Sequence, residues 1–163
     1  MGRRKRVTDA ERHSEYQLRR ADGADAAPVA ALVDAAYEHY VERIGFPPRP
    51  MQEDYAEVIR DTHVTVIEER ATVVGVIVLK VEDERIFIDN VAVHPSHRGK
   101  GVGRILLEFA EAEAQRTGFP STHLYTHEKM TENIALYSRI GYSEYDRRSQ
   151  GGFSLVYMRK SLG

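Results

Sequence analysis

Glycines alternate with cations in one short stretch of this chain, HPSHRGKGVGRILLEFAEAEA, residues 94–114. The alternating residues are Arg98, Gly99, Lys100, Gly101, Gly103 and Arg104. The apolar spacing that follows predicts a helix from Val102. The first turn of a helix has backbone N–H groups without an internal partner, and glycines let an anion approach them. Because residues 94–107 contain no Asp or Glu, both charge and backbone indicate a phosphate site.

The spacing of this loop argues against two common nucleotide motifs. A Walker loop, G-x-x-x-x-G-K-S/T, needs a hydroxyl residue after its lysine, but Gly101 follows Lys100, so ATP hydrolysis is not indicated. The dinucleotide fingerprint G-x-G-x-x-G also fails, because its third glycine would fall at Leu106. From the loop alone, a glycine-rich turn with solvated cations remains the alternative.

The elements that must position this loop follow from periodicity. Strand-type patterns rich in β-branched residues alternate with helix-type patterns, and no internal repeat is present. The order predicts a mixed α/β fold with helices packed on a twisted, mostly antiparallel sheet. Strands are predicted at 16–20, 63–70, 71–83, 84–95, 122–127 and in a final pair around Gly151, and helices at about 21–45, 51–60, 102–117 and 130–141.

Composition removes several classes of function. The chain has 163 residues, 23 Lys plus Arg against 25 Asp plus Glu, and no cysteine. The balanced charge gives no reason to expect nucleic acid, and no apolar stretch is long enough for a signal or a membrane span. The absence of cysteine excludes disulfides and a thiol nucleophile and favours a cytoplasmic location. We expect a flexible, solvated tail over residues 1–14 and a single domain over 15–163.

Two separated motifs resemble the GNAT superfamily of N-acetyltransferases. The run NVAVHPSHRGKGVGRILL is similar to its cofactor segment, Q/R-x-x-G-x-G/A after a strand, with Arg98, Gly101 and Gly103 at the matching positions. The run IALYSRIGY resembles the helix that carries a tyrosine, here Tyr137, followed by glycine and an aromatic residue. The resemblance covers about residues 16–160. It implies a GNAT-like α/β (α+β) fold, with six to seven strands and about four helices.

The resemblance further implies acetyl-CoA as the donor. The backbone amides of residues 99–104, Val102 and Arg104 included, would hold the pyrophosphate. Arg98 and Lys100 would lie near it, or reach the 3′-phosphate or only solvent. In the family, the strand before the loop splays from its neighbour and offers main-chain groups to the pantetheine arm, which maps to Val91, Ala92 and Val93. Their side chains can still pack as a core strand, because those contacts use the backbone.

Direct transfer of acetyl to an amine needs an acid and a base. The resemblance gives Tyr137 the role of acid toward the departing thiolate, although composition alone favours a core aromatic. An amine of pKa near 10.4 costs about 4 to 5 kcal/mol to deprotonate at pH 7, and an α-amine near 7.8 only about 1. Asp89 on the splayed strand is the candidate base, directly or through water, with His127 behind it. A hydrogen-bonding strand residue is the other interpretation of Asp89.

One position departs from the family pattern. Many members carry an asparagine seven residues before the tyrosine, where this chain has Met130. Asn133 lies one helical turn before Tyr137 and is therefore the candidate cofactor contact. Helix packing or capping is the alternative role for Asn133.

The acceptor is the least defined part of the prediction. Its wall is expected over AYEHYVERIGFPPRPM, with Arg43 or Arg49 facing an acceptor carboxylate. The apolar lining would comprise Tyr37, Tyr40, Phe46 and Met51. Two functions remain: an N-acetyltransferase acting on a small-molecule or protein amine, or a sensor that binds acetyl-CoA without turnover. No metal site, nucleic acid or membrane is expected, and a homodimer through the apolar strand FSLVYM is a candidate assembly.

Overall fold

The computed structural model describes residues 15–151 and 153–163. The expected tail at residues 1–14 lies outside the described residues. Seven strands form one sheet in the order β1-β2-β3-β4-β5-β7-β6. They are β1 Tyr16–Arg20, β2 His63–Glu69, β3 Thr72–Glu82, β4 Arg85–Val93, β5 Ser121–His127, β6 Ser143–Gln150 and β7 Phe153–Ser161.

The sheet is antiparallel except for one pair, β4 with β5. That pair must be parallel because the connection between the two strands crosses one face of the sheet through a helix. The mixed, mostly antiparallel seven-stranded sheet confirms the predicted fold class.

Four α-helices flank the sheet in the described residues, as predicted. They are α1 Ala26–Ile44, α2 Tyr55–Asp61, α3 Val102–Thr117 and α4 Thr131–Arg139. Helices α1 and α2 pack against one face, where they cover Val76 and Val78 of β3. Helix α3 covers Ile77 and Leu79 on the opposite face. Strand β3 is thus buried on both sides, which explains its continuous apolar sequence.

The second predicted helix is shorter than expected and begins later. Residues Arg49–Gln52 form a 3-10 turn, and α2 starts only after Asp54. The Asp54 side chain accepts hydrogen bonds from the N–H groups of Ala56 and Glu57, so it caps α2 and sets its first residue. Prolines at 48 and 50 lock the preceding backbone away from continuous helix.

A glycine in β3 lets α3 lie close to the sheet. A Cβ atom added at Gly75 would lie 2.7 Å from Cγ2 of Ile67 and 3.1 Å from Cδ1 of Leu106. Any larger residue would push α3 outward and displace the loop that begins it.

The apolar final strand is not an edge of the sheet. Strand β7 pairs with β5 on one side and with β6 on the other, so the homodimer edge expected at FSLVYM is wrong. The described edge on that side is β6, which is rich in charged residues, as edge strands often are. Among the described helices, none has the length and apolar character needed to cross a membrane.

Candidate active site

The parallel strands β4 and β5 separate part-way along their length. Their paired register covers only Ile86–Ile88 of β4 and Thr122–Leu124 of β5. The pairing of β4 with β3 is interrupted at the same point, because Asp89 is an extra residue between Ile88 and Asn90. Such a bulge bends the strand. The backbone edge of Asp89–Val93 that faces β5 is therefore left without a strand partner, as the predicted splay requires.

The glycine-rich loop carries an unsatisfied helix terminus. Gly99 and Gly101 have φ values of 76° and 83°, and a Cβ atom at either would meet nothing within 4 Å. The first backbone hydrogen bond of α3 runs from the N–H of Ile105 to the carbonyl of Gly101, at 3.1 Å. Within the described residues, the N–H groups of 102–104 have no acceptor. These donors and the positive end of the α3 dipole can together hold an anion.

An open cleft lies between this loop, α1, α4 and the free edge of β4, with about 2390 Å³ of empty space. It receives nearly all of the predicted cofactor residues. Those that line it are Val91, Ala92, Val93, Arg98, Gly99, Gly101, Val102, Gly103, Arg104 and Asn133. Lys100 does not line it; its side chain is exposed on the outer side of the loop.

The cations of the loop are not all directed at the cleft. Arg98 donates from Nη2 to the carbonyl oxygen of Ala36 in α1, at 3.0 Å, and thereby ties the loop to that helix. Arg104 is exposed and pairs with Glu108 one turn further along α3, at 3.3 Å. The backbone donors are therefore the better-placed anion ligands, and the cations add a local positive charge.

A second space, the inner chamber, lies on the far side of Tyr137 and holds about 590 Å³ of empty space. Four residues line both spaces, namely Tyr37, Val91, Asn133 and Tyr137. The open cleft and the inner chamber therefore adjoin at the point where β4 leaves β5.

Tyr137 is buried, with 7% of its surface exposed, and its ring lies 6.0 Å from that of Tyr142 in an edge-to-face contact. Burial raises the pKa of the Tyr137 phenol well above its usual value, so the hydroxyl stays protonated at neutral pH. No described residue makes a hydrogen bond to that hydroxyl, although it is not sealed from the adjoining spaces. It is thus a protonated donor whose proton is available to a ligand.

Asp89 lines the inner chamber and not the open cleft. Its Oδ1 accepts from Nη2 of Arg49 at 2.7 Å and lies 3.5 Å from Nζ of Lys80. Its Oδ2 has no hydrogen-bond partner among the described residues. One carboxylate oxygen is therefore committed to two cations, and the other remains for a ligand or a water.

His127 is buried, and burial lowers the pKa of its imidazole, which is neutral at pH 7. The ring Nδ1 accepts from the backbone N–H of Lys129 at 3.1 Å, which places the proton on Nε2. In that tautomer Nε2 is a donor. The geometry therefore argues against His127 as a base behind Asp89.

The comparison with known families agrees with these features. A family model described as the acetyltransferase (GNAT) family matches residues 29–142. The chain belongs to this family. The match includes β4, the glycine-rich loop and α4, so the GNAT interpretation of both sequence motifs is confirmed.

One curated relative is a mycothiol acetyltransferase from Jonesia denitrificans, 36% identical over 86 residues. The match covers 52% of this chain and only 27% of that relative, so the chain spans about a quarter of its length.

Solved structures resemble the whole described fold. One is the PaiA N-acetyltransferase from Thermoplasma acidophilum in complex with coenzyme A, with a TM-score of 0.76 and 18% identity over 90% of this chain and 99% of that one. Another is YncA from Salmonella typhimurium with its cofactor acetyl-CoA, with a TM-score of 0.68 and 24% identity over 91% of this chain and 94% of that one. At such low identity, these likenesses establish the GNAT fold alone.

Met130 occupies the position where many GNAT proteins carry asparagine, and its side chain is buried at the start of α4. Asn133 lies beside it, and its Nδ2 approaches the Met130 sulfur at 3.6 Å. The Asn133 amide has no stronger hydrogen bond among the described residues and lines both the open cleft and the inner chamber. This placement is the one that a cofactor contact requires.

A hydrogen-bond network beneath the site was not anticipated from the sequence. The Tyr37 hydroxyl lies 2.7 Å from Oδ1 of Asn90 and 3.2 Å from the carbonyl oxygen of Val91. Nδ2 of Asn90 donates to the Tyr55 hydroxyl, which donates to the carbonyl of Pro50. The network joins α1, β4 and α2 to Pro50 in the segment between α1 and α2. A buried asparagine inside the apolar run IFIDNVAV was the signal for it.

The residues predicted for the acceptor wall lie in different places. Tyr37 and Arg49 line the inner chamber, but Arg43 does not. Arg43 instead pairs with Glu132 of α4 at 2.7 Å, on the outer surface. Tyr40 lines the open cleft, and Met51 packs with the α1 and α2 core. Within the described residues, no group of three or more His, Asp or Glu side chains could hold a metal ion.

Proposed function

We propose that the protein is an N-acetyltransferase that moves the acetyl group of acetyl-CoA directly to a primary amine of a small molecule or protein. The observation that carries this proposal is the position of Tyr137, which lines both the open cleft and the inner chamber with a protonated, unpartnered hydroxyl. A donor in the cleft and an acceptor in the chamber would meet there. Membership of the GNAT family supports the same reaction.

The residues of the open cleft fit coenzyme A. The N–H groups of 102–104 are unsatisfied donors suited to a pyrophosphate. The absence of a side chain at Gly103 is not required by packing, because an added Cβ would lie 3.6 Å from Val93, an ordinary contact. The free edge of Val91–Val93 would hold the amide-rich pantetheine arm. When bound, acetyl-CoA supplies a thioester whose carbonyl carbon is electrophilic.

Tyr137 is the proposed acid. The reaction forms a nitrogen–carbon bond, breaks the thioester carbon–sulfur bond, and passes one proton overall from the amine nitrogen to the sulfur. Burial of the phenol keeps its proton in place at neutral pH but makes it a weaker proton donor than free tyrosine. Its main contribution is therefore a hydrogen bond that strengthens as negative charge develops on sulfur.

Asp89 is the proposed base, through its unpartnered Oδ2 or a water bound there. As a carboxylate in the inner chamber it would also attract the ammonium form of the acceptor. His127, with its proton on Nε2, would orient the acceptor or that water as a donor.

Substitution Tyr137→Phe tests the function. We expect kcat for thiol release to fall by about 100-fold or more, because the acid is lost. Coenzyme A affinity measured by calorimetry should change by less than about twofold, because the ring and its packing remain. Tyr157→Phe, which lines neither space, is the matched control.

The same experiment distinguishes an N-acetyltransferase from an acetyl-CoA sensor. Unchanged kcat in Tyr137→Phe would reject the acid role. If the wild-type protein binds coenzyme A but releases no thiol with any amine of a broad panel, it is instead an acetyl-CoA sensor.

A further inference from the structure

Apolar side chains form most of the walls of the inner chamber. Its apolar lining includes Ile44, Pro48, Pro50, Leu124, Met130 and Leu155. The chamber is open on one side, and its empty space of about 590 Å³ includes that opening. An acceptor that fills this space therefore buries an apolar body.

The charges of the inner chamber cancel. Among its lining residues only Arg49 and Asp89 carry full charges at neutral pH, and they contact each other at 2.7 Å. Their outer neighbours also balance, because Glu53 lies 3.5 Å from Arg49 and Lys80 lies 3.5 Å from Asp89. An anionic group on the acceptor would thus enter a neutral, largely apolar space without an uncommitted cation, which costs binding energy.

Neutral polar groups in the chamber lack partners. The Tyr125 hydroxyl is buried and has no hydrogen-bond partner. Nε2 of His127 likewise makes no hydrogen bond to a described residue. Both side chains lie on the same face of β5, two residues apart. A buried donor without a partner is unfavourable. The Tyr125 hydroxyl has no accessible surface, so it is Nε2 of His127 that suits an uncharged hydrogen-bond acceptor of a ligand.

One aromatic contact lies at the wall of the chamber. Phe153, at the start of β7, lines the chamber, and its ring meets Phe46 edge-to-face with centroids 4.9 Å apart. Phe46 belongs to the loop after α1, so this contact joins two distant segments beside the chamber.

We propose that the acceptor is a small primary amine with an apolar, uncharged body, which can end in a neutral polar group but not in a carboxylate. This inference rests on the proposed acetyltransferase function and on the same direct transfer. It replaces the wider acceptor class of small-molecule or protein amine.

The test compares three acceptors that share a benzylamine body, together with one peptide amine. The panel is 4-methylbenzylamine, 4-(aminomethyl)benzamide, 4-(aminomethyl)benzoate and a tripeptide with a free amino terminus, each with acetyl-CoA and the full chain. Released coenzyme A is measured with a thiol reagent, which meets no background from a chain without cysteine. Binding of each amine to the protein saturated with coenzyme A is measured separately by calorimetry.

We expect kcat/KM for 4-methylbenzylamine and the benzamide to exceed that for the benzoate and the tripeptide by at least about tenfold, because an unpaired charge is costly to bury. In Asp89→Asn, Arg49 loses its main partner and can bind the carboxylate of the benzoate. The ratio of kcat/KM for 4-methylbenzylamine to kcat/KM for the benzoate should therefore fall by about tenfold. The ratio is independent of any overall loss of rate in that variant. Val81→Ala, exposed and outside the chamber, should leave the ratio unchanged.

Each failure has a separate meaning. Preference for the benzoate or the tripeptide would overturn the acceptor class while the acetyltransferase function stands. Binding of the neutral amines without thiol release would overturn the function and leave the acceptor class in place. Absence of both binding and turnover for the neutral amines would overturn the acceptor class.

Discussion

Gly103 is a glycine that the fold itself does not require. Gly99 and Gly101 adopt left-handed backbone conformations that other residues rarely adopt, so glycine at these two positions is explained by the turn itself. Gly103 has no such conformation, and a methyl group there would meet only ordinary contacts within the protein. Its missing side chain is therefore best explained by a ligand that approaches the backbone.

The substitution Gly103→Ala should separate stability from binding. Alanine in the first turn of α3 should leave the free energy of unfolding unchanged or raise it by up to about 1 kcal/mol. Coenzyme A affinity measured by calorimetry should fall at least about tenfold, which is about 1.4 kcal/mol, because the methyl group occupies phosphate space.

Gly23→Ala is the matched control, since a Cβ there meets nothing within 4 Å and lies outside the open cleft. Unchanged coenzyme A affinity in Gly103→Ala would place the pyrophosphate elsewhere.

At the scale of elements, one carboxylate holds the 3-10 turn Gly23–Asp25 that leads into α1. Asp25 accepts from the N–H of Asp22 at 2.8 Å and completes a capping box. Its two oxygens also accept from Nη1 and Nη2 of Arg19 in β1, at 2.7 and 2.8 Å. This buried carboxylate thus joins the first strand to the helix that forms one wall of both spaces.

Removal of that charge should cost stability in a pH-dependent way. The Arg19 guanidinium lowers the pKa of Asp25 below its usual value, against the opposing effect of burial. The ionised carboxylate therefore stabilises the fold above the usual pKa near 3.9, and this contribution is lost as the pH falls through the lower folded value. We expect Asp25→Asn to lower the free energy of unfolding by about 2 kcal/mol at pH 7.

Urea unfolding at several pH values measures this difference. It should stay constant above about pH 5 and shrink below about pH 4. Asp34→Asn, exposed on α1, should show little change at any pH. A loss of stability in Asp25→Asn that is equal at pH 3 and pH 7 would mean that the charge is not the cause.

At the scale of the whole molecule, the open cleft joins segments that are far apart in sequence. Its walls come from α1, β4, the glycine-rich loop and α4, and the Arg98 contact with Ala36 links residues 62 positions apart. A ligand held between these segments binds the folded chain and not the unfolded one. Binding should therefore stabilise the entire fold.

Coenzyme A should raise the melting temperature of the wild-type chain. At about 100 times its dissociation constant the added stability is about 2.7 kcal/mol, or on the order of 5 to 10 °C for a chain of this size. Differential scanning fluorimetry over a range of coenzyme A concentrations measures the shift. Gly103→Ala at the same concentration should show a smaller shift, and no shift in the wild type would contradict the cofactor assignment.

Features that depend on residues close together in the chain were predictable from the sequence. Strand and helix positions followed from apolar periodicity, and the tight turn before α3 followed from its glycines. The start of α2 was missed because the sequence pattern also allows a helix that begins at Met51. The observed hydrogen bonds of Asp54 show that the helix begins at Tyr55. The dimer edge at FSLVYM was wrong because strand order depends on non-local pairing.

By itself, the sequence determined the fold class, the glycine-rich loop and the position of the tyrosine in α4, because each depends on residues close to each other in sequence. Only the tertiary structure decided which residues line the inner chamber. It pairs Arg49 with Asp89 across 40 positions and turns Arg43 outward. Those contacts depend on where β4 leaves β5 and how α1 crosses the sheet, and such distances are set by packing that no local pattern encodes.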